Sequence, residues 1–146
     1  MVQPVVLLAE DDPGHAGLIS RNLRRAGVAG TILHFPDGPR ILEFLQQRGQ
    51  PPHRQAGIPY VLLLDLRMPS MDGLEVLRQI KNDPQLQRVP VVVVTTSDDP
   101  AEIHRCYALG CNAYVSKSVD YQRFSQAMQR LGSFLSILEI PCLMRS

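Results

Sequence analysis

Five short apolar runs, each followed by a stretch of helical period, limit what this chain can fold into more than any other feature. "VVLLA" (5–9), "TILHF" (31–35), "YVLLL" (60–64), "VVVVT" (91–95) and "AYV" (113–115) are too short for helices, too continuous for half-solvated strands and rich in β-branched residues. They read as strands buried on both faces. Between them, 13–26 spaces Ile19, Leu23 and Ala26 on one face, 39–48 offers Ile41, Phe44 and Leu45, and 74–82 offers Val76, Leu77 and Ile80. Two more helices are expected at 100–109, after the capping run "SDD", and at 121–138, after Asp120. Strand and helix thus alternate five times, which implies a doubly wound α/β fold. Right-handed crossovers then place helices on both faces of a five-stranded parallel sheet.

The 146 residues suit a single domain, 1–146, with a core over about 5–138 and a short tail at 139–146. The segment 46–59, "QQRGQPPHRQAGIP", is a long surface loop. Lys and Arg number 15 against 14 for Asp and Glu. Such a balance gives no field to draw the protein onto nucleic acid or an anionic membrane. The first apolar run is too short for a signal peptide or a membrane span, so a cytoplasmic location is expected. Cys106, Cys111 and Cys142 show no paired spacing and read as idle thiols, neither disulfide framework nor zinc site.

In a sheet of order 2-1-3-4-5, ligands bind at the carboxyl ends of strands 1 and 3, where the winding direction reverses. Polar residues collect at those ends. Strand 1 runs into Glu10, Asp11 and Asp12, strand 3 into Asp65, strand 4 closes on Thr95 and Thr96, and Lys117 follows strand 5. Carboxylates brought together repel unless a cation intervenes, and oxygen donors with few carboxylates suit Mg2+, with Asp11 and Asp65 as direct ligands. Lys117 and the Thr95 hydroxyl add donors for a phosphoryl-sized anion. One carboxylate oxygen is then poised to form an aspartyl phosphate.

The ordered set of Glu10 and Asp11, Asp65 within "DLRMPSMDG", Thr95, Tyr114 and Lys117 resembles the receiver domain of two-component response regulators, over about residues 5–138. The separations from Asp65 to Thr95 and from Thr95 to Lys117 are ones that family keeps closely. The double Thr, the long loop before strand 3 and the tail "LGSFLSILEIP" look like stand-alone receivers that partner phytochrome-type histidine kinases. The resemblance implies a flavodoxin-like fold and a signalling protein, not an enzyme beyond slow self-dephosphorylation. It implies transfer from a histidine kinase to Asp65, with Mg2+ held by Asp11, Asp65 and the Arg67 backbone carbonyl and with Glu10 on metal-bound water. Lys117 and Thr95 would meet the phosphoryl oxygens, and Thr95 and Tyr114 would switch a surface of helix 4, strand 5 and helix 5 toward a downstream protein or phosphotransfer partner. The family usually has Pro after this Lys. Here "SKSV" stands instead, so the Lys117–Ser118 bond either stays cis, costly without Pro, or relaxes to trans with the lysine further from Asp65, and cis is favoured.

Plainer roles are expected elsewhere. Asp12 caps helix 1, Asp72 with Gly73 makes a turn, and His15, His34, His53 and His104 are structural or solvated. Arg78, Lys81, Arg88 and Arg105 read as solvated helix faces. Two other functions compete: an aspartate-nucleophile phosphohydrolase, whose second acid is replaced here by Arg67, and a phosphorylation-independent pseudo-receiver. Leu131, Phe134, Leu135 and Leu138 are expected to pack the last helix on the sheet. Ile137, Ile140, Leu143 and Met144 are then left as surplus apolar residues, and a homodimer through helices 4 and 5 is favoured slightly over a tail folded back on its own subunit.

Overall fold

The computed structural model describes residues 3–117 and 120–144. Its elements run β1 (Val5–Ala9), α1 (Pro13–Arg25), β2 (Ile32–Phe35), α2 (Gly38–Gln46), β3 (Tyr60–Leu64), α3 (Gly73–Lys81), a 3-10 turn (Leu86–Arg88), β4 (Val91–Thr95), α4 (Pro100–Leu109), β5 (Ala113–Ser116) and α5 (Tyr121–Leu135). The five strands form one parallel sheet in the order β2-β1-β3-β4-β5. This is the expected doubly wound, flavodoxin-like fold. The 3-10 turn was not expected, and α5 stops three residues short of position 138.

Successive strand residues face opposite sides of the sheet, so each strand feeds two cores. Leu7, Ala9, Leu62, Leu64, Val91 and Val93 pack with α2, α3 and α4, whereas Val6, Leu8, Val61, Leu63, Val92 and Val94 pack with α1 and α5. The central strands β3 and β4 are buried throughout. The edge strands differ from expectation: β2 exposes His34, and β5 is only half-buried along its length. Each has a neighbour on one side alone.

Helix starts follow local chemistry. Asp12, Asp37, Asp72, Asp99 and Asp120 all sit just before a helix in extended backbone and accept hydrogen bonds from its first-turn amides. Asp72 is therefore a helix cap as well as part of a turn. Lys81, expected in solvent, instead donates to the carbonyls of Gln87 and Val89 and to Asn112 Oδ1, tying α3 to the start of β4. Cys106 and Cys111 are buried and Cys142 is exposed, all three as free thiols.

The tail corrects two expectations. Phe134 is 54% exposed, and the face of α5 that packs on the sheet is carried by Phe124, Met128 and Leu135 with help from Leu131. Leu143, counted above as surplus, is 1% exposed inside the other core. The chain reaches it by crossing the amino-terminal edge of the sheet. Leu138 and Ile140 contact the α1/α5 core, Cys142 bridges to Pro59, and Leu143 O accepts from Gly57 N. Arg54 completes the closure as a buried cation, donating to Leu45 O at 2.7 Å and to Met144 O at 2.9 Å. The long loop before β3 is thereby pinned between α2 and the tail, and the tail folds back on its own subunit.

Removing a buried leucine leaves a cavity that its surroundings fill only in part, so Leu143→Ala should lower unfolding free energy by about 2–4 kcal/mol. Met144→Ala, at an exposed position, should be close to neutral. Urea denaturation of the two variants checks the difference.

Candidate functional site

The ladder of parallel-strand hydrogen bonds continues one step past the strands and fixes the polar residues that follow them. Asp65 N donates to Ala9 O at 3.0 Å, Glu10 N to Phe35 O at 3.0 Å and Lys117 N to Thr95 O at 2.6 Å. Their side chains therefore emerge together at the carboxyl rim. Lys117 Nζ lies 2.6 Å from Glu10 Oε2 and 3.3 Å from Asp65 Oδ2. All three side chains are buried, while Asp11 at the mouth is exposed.

"DLRMPSMDG" owes its ending to close packing at this rim. A Cβ on Gly73 would stand 2.4 Å from Asp65 O and 2.7 Å from Leu66 Cα, a distance no real side chain allows. Glycine lets the start of α3 press against the backbone of Asp65, and Gly73 N donates to Leu66 O at 2.9 Å. Arg67 N in turn donates to Asp65 Oδ1 at 3.2 Å, orienting the carboxylate from beneath. The Arg67 guanidinium points away from the acids, to Glu102 on α4 at 3.6 Å.

Electrostatically the rim is strained and incompletely neutralised. Burial pushes the Glu10 carboxyl above its ordinary range, the hydrogen bond from Lys117 pulls it back, and the charge of Asp65 adds to the rise. Oxygens of Glu10, Asp11 and Asp65 lie within 4.8 Å of one another. A hard, oxygen-bound divalent cation fits this donor set, because the one ammonium present leaves three carboxylates undercompensated. Thr95 Oγ1 supplies a second sign of a missing partner: it is wholly buried and without a hydrogen bond. A fully desolvated hydroxyl at a rim of acids is a group waiting for an acceptor.

Tyr114 is half-buried on β5, and its hydroxyl donates to Ser97 O at 2.6 Å, linking that strand to the loop between β4 and α4. Burial raises its phenol above the ordinary value. Asp12 does cap α1, accepting from Gly14 N and His15 N, and those bonds hold its carboxyl below the usual range. The Lys117–Ser118 bond involves residue 118 and lies outside the described residues.

Two histidines join the site without having been expected there. His15 Nδ1 is 3.3 Å from Lys117 Nζ, and His34 Nε2 is 2.6 Å from the backbone carbonyl of Glu10. Neither carries metal-ligand spacing. A better clue was position: His15 lies in the first turn of the helix that leaves the acidic rim, and His34 pairs with Leu8, two residues before Glu10 on the same face of the sheet.

Comparison with known proteins agrees with this geometry. The model of the response regulator receiver domain matches residues 6–129. Response regulator Rcp1 of Synechocystis sp. is 35% identical over 138 residues, covering 94% of this chain and 92% of Rcp1. A crystal structure of Mn2+-bound Rcp1 superposes with a TM-score of 0.84 at 33% identity, over 94% of this chain and 99% of that one. A receiver domain from Rhodospirillum rubrum is 40% identical with a TM-score of 0.87, over 97% and 99% of the two chains. The phosphorylated cyanobacterial phytochrome response regulator RcpA is 34% identical with a TM-score of 0.86, over 96% and 99%.

Because the Thr95 hydroxyl is buried without a partner, the isosteric Thr95→Val should raise unfolding free energy by about 1 kcal/mol. Urea unfolding checks the gain. A stabilising substitution at the rim would mark this hydroxyl as kept at the expense of the fold.

Proposed function

The chain belongs to the response regulator receiver domain family, and from that membership we propose that it is a stand-alone response regulator that takes a phosphoryl group from a histidine kinase onto Asp65. The observation that carries the reading is the buried, unpartnered Thr95 hydroxyl on the rim where Lys117 already meets Asp65 and Glu10. That arrangement is built to receive an anion. In the transfer, an Asp65 carboxylate oxygen forms a bond to phosphorus as the phosphorus–nitrogen bond of the donor phosphohistidine breaks and the imidazole leaves. Lys117 and Thr95 donate to the phosphoryl oxygens, while the amide of Arg67 holds the Asp65 carboxylate in place. Mg2+, when bound, would neutralise charge on the acids and on the transferring group. Its holders would be Asp11, Asp65 and the Arg67 carbonyl, with Glu10 on a bound water. The Mn2+-bound state of Rcp1 supports a divalent cation in this family's acidic site.

The output is an altered surface of α4, β5 and α5 read by a downstream protein. Two features support it: the Tyr114 hydroxyl spans from β5 to the loop before α4, and α4 fully buries Cys106 alone. A helix so lightly anchored is displaced at low cost. Added phosphoryl charge would draw Thr95 toward it, shift that loop and let Tyr114 turn inward. Similarity to RcpA points to a phytochrome-type histidine kinase as the donor. Self-association through α4 and α5 stays part of the proposal, since Tyr107, Tyr121 and Phe134 are exposed there. Among the described residues no helix is long and apolar enough to cross a membrane. The proposed site of action is the cytoplasm, with no nucleic-acid partner. A phosphohydrolase is disfavoured by Arg67, which stands where that chemistry needs a second acid and is engaged by Glu102 instead.

Incubation with a small-molecule phosphodonor and Mg2+ should add one hydroxylamine-labile phosphoryl group by intact mass, and Asp65→Asn should abolish it while keeping the fold. Labelling of the Asn variant would move the acceptor elsewhere, and rapid turnover of phosphate esters would turn the protein into an enzyme. Independently, millimolar Mg2+ should raise the melting temperature through ligand linkage, and Asp11→Ala should remove most of that response. Thermal scans with and without the cation decide.

A further inference from the structure

A lysine ammonium has three hydrogens to donate, and Lys117 finds three acceptors: Glu10 Oε2 at 2.6 Å, Asp65 Oδ2 at 3.3 Å and His15 Nδ1 at 3.3 Å. The first two belong to the acidic cluster that would hold a cation. His15 does not. An imidazole nitrogen accepts only when bare, and the ring's other nitrogen, Nε2, faces Asp12 Oδ2 at 3.9 Å. The ring is presented by the first turn of α1, where the His15 amide is tied to Asp12 Oδ1 at 3.3 Å. The cap fixes its backbone, while Nδ1 itself lies 3.9 Å from Glu10 Oε1, beyond hydrogen-bond distance and further off than Lys117 Nζ.

We propose that His15 is a positioning residue that gives Lys117 an acceptor outside the acidic cluster and so keeps the ammonium aimed at the rim when a divalent cation engages Glu10 and Asp65. The proposal rests on the phosphoacceptor reading above. A cation and an ammonium compete for the same two carboxylates and repel one another. Lys117 is only 9% exposed, and an ammonium that deeply placed is costly to leave without acceptors. His15 Nδ1 accepts without adding negative charge. It therefore lowers the cost of cation entry while holding Lys117 beside Asp65.

Calorimetric titration of the unphosphorylated protein with Mg2+ tests this on wild type, His15→Leu, His15→Asn and His15→Gln. Asn can place its amide oxygen where Nδ1 lies, Leu puts a methyl group there, and Gln carries its amide toward the Nε2 position. Leu and Gln should weaken Mg2+ binding about three- to tenfold, with Asn within about twofold of wild type. The backbone bonds of the cap are untouched by all three, and melting curves without Mg2+ should coincide. In wild type, the 15N resonance of His15 Nδ1 should shift further in the hydrogen-bonded direction as Mg2+ is added. Unchanged affinity in the Leu variant overturns the inference alone, as does equal weakening in all three, which would assign the effect to ring shape. Absence of Mg2+ binding by the wild type overturns both the inference and the metal-dependent reading it rests on.

Discussion

Glu10 and Asp65 can be buried at the ends of adjacent strands only because Lys117 is buried with them. Each carboxylate withdrawn from water costs several kcal/mol, and a shared ammonium at hydrogen-bond distance offsets the cost only while all three keep their places. The lysine comes from the end of β5, an edge strand whose side chains are merely half-buried. Electrostatics at the rim thus helps to dock a strand that apolar packing holds weakly. The set is also coupled: a change in charge on one carboxylate alters the electrostatic hold on the lysine at the end of β5.

Much of this was legible in the sequence, for reasons that differ by residue. The central strands announce themselves because burial on both faces leaves room for apolar side chains alone. Asp65, Asp11, Thr95 and Lys117 were legible because a parallel sheet puts every strand's carboxyl end on one rim. Helix caps were legible in the aspartates, although Asp72 had been read as turn chemistry since its Gly neighbour suits both. What was hidden depends on long-range packing. Leu143 lies beyond the helical pattern that marks Leu135, in a tail without a period of its own, so only the path of that tail reveals its burial. Phe134 occupies a plausible periodic position, yet the α5 face is set by Phe124 and Met128 against α1 and the sheet.

Charged side chains showed the same limit. Lys81 falls on a helix face that period alone marks as solvated, but its length lets the ammonium reach three oxygens beyond the helix end, and burial lowers its basicity. His15 has no motif around it. Its contact with Lys117 depends on where the first turn of α1 starts relative to a lysine distant in the chain, so its place after the acidic run is a hint that only the fold completes.

The tail that crosses the amino-terminal edge has a mechanical meaning. Bound by Leu143, the Pro59–Cys142 bridge and the Arg54 clamp, it closes the sheet at the end remote from the acids. The strands are thus tied at both ends, by backbone and apolar contacts at one and by the Lys117 ion set at the other. What yields most easily at the acidic end is then not the strands but the loops that leave them and α4, which buries one residue fully.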